Sequence, residues 1–376
     1  MEYKRLGDVI SIKKGKKIEQ VEESENTIRY IQIDDLRNND NLKFCEKNDK
    51  YVIAKEKDII IAWDGANAGT VGFGLNGAIG STLARLDINH YEIDTIYCAM
   101  FLRSKFRYLR EKCTGATIPH LSRASLEDLK LPKPSLKTQK KIVEVLDKSQ
   151  SLIDKKREQI DLLDELVKSR FIDMFGDPVI NSKNWETVEL RCCIQEIKYG
   201  TSTPPNFSEQ GIPFIRATNI KEGRIVENDM KYISEEEAKK IEKCKLSLGD
   251  TIIVRSGANT GDNTFVPEKY VDCYGGYDII VKLNEKINYR FLNVLLNSVY
   301  REVVIQPLTR RAGQPHLNSE QIQSLMVYLP PIELQNEFAE LVTQTDSIRS
   351  KMETSLSELE DNFNSLMQRA FKGELF

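Results

Sequence analysis

Between residues 135 and 176 a seam of positions recurs in alternating steps of four and three: Ile142, Leu146, Ser149, Ile153, Lys156, Ile160, Leu163, Val167, Arg170 and Met174. A heptad of this kind keeps one stripe of a helix facing a partner over many turns. No Pro or Gly interrupts the stretch before Gly176, so it predicts one helix with a seam roughly 50 Å long at 1.5 Å per residue. The pattern returns 196 positions later at Phe338, Val342, Thr345, Arg349, Met352, Leu356, Leu359, Phe363, Leu366 and Ala370. The chain thus contains its own partner helix, and the reading is an antiparallel two-helix coiled coil rather than two helices packed on a globular core. Ser149, Lys156, Arg170, Thr345 and Arg349 are polar seam positions of the type that fixes register at some cost in stability.

The stretches before each arm alternate differently. Short β-branched runs are punctuated by Gly and Asn turns, as in strands of a mixed sheet or small barrel. They also repeat: Ile28-Arg29-Tyr30-Ile31 is answered by Ile212-Pro213-Phe214-Ile215, Gly65-Ala66-Asn67-Ala68-Gly69 by Gly257-Ala258-Asn259-Thr260-Gly261, and Pro119-His120-Leu121 by Pro315-His316-Leu317. One ancestral half is used twice. Each half adds a helical stretch, Ile96 to Lys112 and Tyr289 to Val304. Pro132 and Pro134, and Pro330 and Pro331, mark where a domain stops and an arm begins, since Pro suits a helix start and not its interior. The expected fold class is α+β: two pseudo-repeated mixed α/β domains, residues 1–134 and 177–330, separated by a long antiparallel coiled coil of arms 135–176 and 331–376.

With 376 residues, 40% hydrophobic and 30% charged, the chain can bury more than one core. No apolar run approaches the roughly 18 residues of a membrane span, and Met1-Glu2-Tyr3-Lys4-Arg5 opens no apolar signal region, so a cytoplasmic location is expected. The seven cysteines form no C-x-x-C pair and read as reduced core or strand residues.

Candidate catalytic residues are absent from this reading. The glycines around Gly65 and Gly69 lack the Lys-Ser/Thr of a phosphate loop and read as a tight strand-to-strand turn. His120 and His316 each follow a Pro in a loop, with no acidic or Cys neighbours in sequence, and no metal site is expected. The net charge is −3, but phosphate binding depends on where charges sit. Lys13, Lys14, Lys16 and Lys17 cluster near the start; Arg103 and Arg107 fall on the first helical stretch; Lys198, Arg216 and Arg255 fall at strand ends; Arg310, Arg311 and Gln314 precede the second Pro-His pair. These are the candidate DNA contacts. A solvated charged face is the alternative, and a coiled-coil adaptor that binds protein partners is the alternative function. A stand-alone methyltransferase or nuclease would need an Asn-Pro-Pro-aromatic motif or paired carboxylates, which this sequence does not offer.

Taken together, Tyr3-Lys4-Arg5-Leu6-Gly7-Asp8-Val9, the Asp58–Gly69 strand and turn with its copy Asp250–Gly261, and the passages from Gly115 to Ile142 and from Gly313 to Gln335 resemble the specificity subunits of type I restriction-modification systems. The resemblance covers essentially the whole chain. It departs at the first arm, where Pro134 to Gln139 is one residue longer than Pro331 to Gln335. It implies two target-recognition domains, each followed by a helical arm, that read a bipartite asymmetric target on double-stranded DNA without catalysis of their own. The implied partners are two methyltransferase subunits carrying S-adenosylmethionine and, where the system restricts, two restriction subunits using ATP and Mg. No cofactor would be bound by this chain.

Overall fold

The computed structural model describes residues 2–115, 117–309 and 315–375. Two compact units emerge, Met1–Arg157 with Thr354–Phe376, and Glu158–Glu353. Each takes one globular domain together with one end of each arm, so the boundaries fall inside the arms.

In the first unit a four-stranded antiparallel sheet runs in the order Ile10–Lys14, Leu83–Ile88, Ile59–Ala62, Val71–Gly72. The run Ile59-Ile60-Ile61-Ala62 is fully buried because it is covered on both faces. Ile59 and Ile61 face the core built with the helix Thr95–Ser104; Ile60 and Ala62 face a second core with Ile31, Leu36 and Ile79. This period of two explains a strand that is apolar throughout. The second core lies against a mixed sheet ordered Phe44–Glu46, Thr27–Ile31, Gly77–Ile79, Ile53–Ala54, in which Tyr30 and Ala78 pair in parallel. Tyr3–Arg5 pairs with Lys130–Pro132 and ties the domain's beginning to its end.

The second unit repeats this plan. Its antiparallel sheet is Ile194–Tyr199, Ile279–Leu283, Thr251–Ile253, Asn263–Phe265, and its mixed sheet again contains one parallel pair, Phe214 with Tyr274. Thr187–Glu189 pairs with Met326–Tyr328. The unit also carries a hairpin, Ile220–Lys221 with Arg224–Ile225, whose turn residues Glu222 and Gly223 both take positive φ, 47° and 77°, as a two-residue hairpin turn requires.

The helical stretches are broken where continuous ones were expected. The first divides into Thr95–Ser104 and Phe106–Glu111. The second ends at Leu296, and the chain resumes as a π-helical turn, Arg301–Ile305, followed by Gln306–Thr309. Ser104 Oγ donates to Phe101 O and Ser298 Oγ to Leu295 O, and such side-chain bonds to the preceding turn compete with helix continuation.

The arms are single helices, Leu136–Phe175 and Ile332–Lys372. Gly176 ends the first with φ +83° and an N–H donated to Ile172 O, the left-handed cap that favours glycine. In the first unit Ile142 and Leu146 share a core with Phe363, Leu366, Ala370 and Phe371. In the second, Phe171 and Phe175 pack against Phe338, with ring centroids 5.5 and 5.3 Å apart. The beginning of each arm therefore meets the end of the other, and the pairing is antiparallel. Ile153 and Val342 are buried, while Ile160, Leu163, Val167, Met352, Leu356, Leu359 and Phe363 are half-buried along the seam.

One seam position needs correction. Arg170 is exposed and paired with Asp173, and the buried residue is Phe171. A straight helix has 3.6 residues per turn, so the contact stripe drifts off a strict heptad and a four-residue step from Val167 replaces the three. Arg349 remains in the seam, almost fully buried, with its guanidinium 2.6 Å from Asp164. Asp164 also accepts from Arg224 at 2.6 Å, which fastens the second unit's hairpin to both arms. Among the described residues no helix is long and apolar enough to cross a membrane.

Gln139 and Gln335, both fully buried, fasten each arm to its own domain. Gln139 Oε1 accepts from Asp94 N at 2.8 Å, and its Nε2 donates to Glu92 O and Pro134 O. Gln335 Oε1 accepts from Asn288 N at 2.9 Å, and its Nε2 donates to Lys286 O and Pro330 O. Asp94 and Asn288 are the N-caps of the two domain helices. The counterpart of Pro134 is thus Pro330 and not Pro331, and the departure seen in the sequence disappears. Replacing Gln335 with Leu strands one buried donor and two carbonyls, each worth about 1–3 kcal/mol. Urea unfolding of the variant should reveal a loss of about 3 kcal/mol; a loss below about 1 kcal/mol would show that the glutamine is not the fastening.

Candidate nucleic-acid interface

Backbone hydrogen bonds make the two halves superposable at the end of their central strand. Gly69 N–H donates to Ala62 O, and Gly261 N–H to Val254 O; Leu121 N–H donates to Trp63 O, and Leu317 N–H to Arg255 O. Trp63 and Arg255 are therefore equivalent, each stitched to its Pro-His-Leu loop. Lys14 pairs with Ala84 and Tyr199 with Ile279 at the ends of the neighbouring strands, with Gly15 N–H on Leu83 O and Gly200 N–H on Asp278 O. Lys14 and Tyr199 are equivalent in turn. Gly15 and Gly200 have no alternative: a Cβ there would lie 2.2 Å from Gly80 O or 1.5 Å from Gly276 O.

These equivalent places carry different chemistry. In the first domain Lys14 Nζ sits 5.6 Å from the Trp63 ring and 3.3 Å from Asp64 Oδ2, and Asp64 Oδ1 lies 2.7 Å from His120 Nδ1. His120 thus has an acidic neighbour that its sequence surroundings did not reveal. In the second domain the cation comes from the central strand and the aromatic from its neighbour. Arg255 Cζ lies 4.4 Å from the Tyr199 ring centroid and 4.3 Å from that of Tyr277. Arg255 also approaches His316 Nε2 at 3.5 Å, while Tyr199 Oη accepts from Ser319 N–H at 2.9 Å. Both tyrosines remain partly exposed, 38% and 44%.

Asp278 lies beneath this cluster, 3% exposed, and accepts from Arg255 N. Burial pushes its carboxyl up to about 6, against the opposing pull of that hydrogen bond and the Arg255 charge.

Lys13, Lys16 and Lys17 are exposed beside Lys14; Lys13 pairs with Asp87 at 2.9 Å, whereas Lys16 and Lys17 have no carboxylate within pairing distance among the described residues. Arg103 donates to Val71 O and stacks 4.4 Å from the Phe73 ring, and Arg107 pairs with Glu111 along its helix. Lys198 donates to Lys245 O, and Arg216 pairs with Asp229 at 3.0 Å. Arg310, Arg311 and Gln314 lie outside the described residues. Lys14 and Arg255 thus lie at the ends of neighbouring strands, each at the place that holds an aromatic in the other domain, while Arg107 sits on the helix that packs on the turn at Gly69 and Arg103 on the helix before it. The sequence reading missed Trp63, Asp64, Tyr199 and Tyr277. Aligning Lys13-Lys14-Gly15 with Lys198-Tyr199-Gly200 would have found Tyr199.

A cavity of about 720 Å³ opens elsewhere in the second unit, lined by Arg224, Arg301, Arg349 and Asp346 among others. Its arginines are already paired, Arg224 and Arg349 with Asp164 and Arg301 with Asp262. No cluster of three or more potential metal ligands occurs among the described residues. All seven cysteines are free, and Cys192, expected in core or strand, is exposed on a 3₁₀ turn.

Residues 1–163 and 182–361 match the model of the type I restriction modification DNA specificity domain. The chain is similar to the MjaVIII specificity subunit of Methanocaldococcus jannaschii, 27% identical over all of this chain and 92% of that protein. It is also similar to the EcoBI specificity subunit of Escherichia coli, 21% identical over 85% and 74%. Its fold is like that of the type I restriction-modification S subunit from M. genitalium, with a TM-score of 0.61 at 17% identity over 98% of this chain and 96% of that one. A chain from a structure of type I R-M complex assembly gives 0.57 at 16% identity, over 100% and 98%.

The Asp278 carboxyl yields a pH prediction. Its folded value, about 6, lies above its ordinary 3.8, so the native state binds more protons than the unfolded chain between those values. Stability falls as pH rises through that window, by about 3 kcal/mol in all. Asp278→Asn keeps an acceptor for Arg255 N–H and removes the loss. In urea titrations the variant should gain on the parent chain between pH 4 and 7 and hold that gain above; a difference independent of pH would contradict this.

Proposed function

We propose a function from the premise that the chain belongs to the family of type I restriction modification DNA specificity domains: it reads a bipartite asymmetric target on double-stranded DNA for a type I restriction-modification complex. Like the relatives named as specificity subunits, it is a recognition subunit and not an enzyme. Two methyltransferase subunits would be recruited, one by each half, and would bring S-adenosylmethionine and adenine methylation; in a restricting system two restriction subunits would bring ATP and Mg. The chain's own residues supply recognition and assembly in the cytoplasm.

The observation that supports two different half-sites is a single scaffold with two chemistries. The Lys14, Trp63, Asp64 and His120 group and the Tyr199, Arg255, Tyr277 and His316 group occupy the same strand ends. A side chain at such an end meets base edges, while exposed lysines beside it meet phosphates and set register. Two halves that present different groups from one frame read different sequences, and half-site spacing follows module spacing.

Lys16 and Lys17 are the exposed cations best placed for phosphate. In duplex-binding assays of the full chain with its methyltransferase at two salt concentrations, Lys16→Ala with Lys17→Ala should weaken all sequences alike and reduce the salt slope by about 2. An unchanged slope would place this cluster away from DNA, and a parent chain whose binding ignores salt would remove the DNA-reading function.

A further inference from the structure

Arg255 differs from its neighbours in what it lacks. Every other described arginine of the second unit, from Arg170 to Arg349, has a carboxylate within ion-pairing distance. Arg255 has none among the described residues, and its one long polar side-chain contact is to the His316 ring at 3.5 Å. It is held by rings instead, with Tyr199 and Tyr277 each within 4.4 Å of Cζ. Tyr199 is itself fixed by Ser319 N–H. The turn just beyond Arg255 borders open space: a Cβ added at Gly257 would touch nothing within 4 Å.

A guanidinium fixed by aromatic rings is pre-organised, and its planar fork suits a paired acceptor. A phosphate contact needs charge nearby more than direction, whereas a base edge needs both. We propose that Arg255 is the specificity-determining residue of the second domain and donates two hydrogen bonds to O6 and N7 of one guanine in the major groove, the commonest pairing of arginine with a base. The inference rests on the DNA-reading function above and names the base that this site takes. The first domain places Trp63, 8% exposed, at the equivalent backbone position, and its nearby cation Lys14 is neutralised by Asp64. The guanine therefore belongs to one half-site only.

The test is selection from a randomised duplex library by the full chain with its methyltransferase, comparing the parent with Arg255→Gln and with Tyr199→Leu plus Tyr277→Leu. The parent should enrich a two-part motif with a fixed guanine in one part. Arg255→Gln should lower preference for that guanine on the order of 10- to 100-fold and leave every other position of both parts enriched, which also reports that the domain is folded. The double tyrosine variant keeps the charge and should weaken the same position alone. A uniform loss across all sequences on Arg255→Gln would make it a phosphate contact and overturn the proposal, as would a guanine preference that survives. A parent chain that enriches nothing would instead fail the DNA-reading function itself.

Discussion

The fold of each half depends on one buried glutamine. Gln139 and Gln335 each join three segments through main-chain groups: the capped start of the domain helix, the proline passage that leaves the domain, and the first turn of the arm. A fully buried amide with both ends satisfied is costly to disturb, because breaking it strands its partners away from water. The arm therefore leaves its domain in one direction, and the seam that follows can be satisfied by the other arm. The repeated antiparallel packing, Ile142 and Leu146 against the second arm's end and Phe171 and Phe175 against its beginning, follows from that fixed departure.

Much of this architecture was legible because it rests on short-range periodicity and on duplication. The seam from Phe338 to Ala370 matched the stripe of buried and half-buried residues position by position. In the first arm Met174 is buried as the seam requires, and only at Arg170 does burial move one position, to Phe171. The proline mismatch arose from aligning Pro134 with Pro331; the 196-residue offset of the arms leads to Pro330 instead, and the Gln side-chain bonds agree with it, as do the equivalent bonds from Lys133 N–H to Glu2 O and from Leu329 N–H to Glu186 O. The helix breaks near Ser104 and Ser298 depend on hydroxyls bonding one turn back, a local choice that apolar spacing does not encode.

The candidate interface was harder to read. Lysines in a run are visible in sequence, but the groups at the strand ends come together from distant positions, Asp64 with His120 and Tyr199 with Arg255 and Tyr277. Identical backbone stitching at Trp63 and Arg255 reveals that the cation and the aromatic have exchanged strands between halves. Holding the frame constant and changing the groups at its open end gives one duplicated scaffold two different sets of side chains, without altering how either domain joins its arm.

The most direct measurement of that claim is the pattern of methylated adenines laid down in a methylation-free host expressing the chain with its methyltransferase subunit. The account predicts one asymmetric motif of two unlike parts separated by a fixed unread gap, with a methylated adenine in each part. A single uninterrupted motif, two identical parts, or methylation without sequence preference would contradict it.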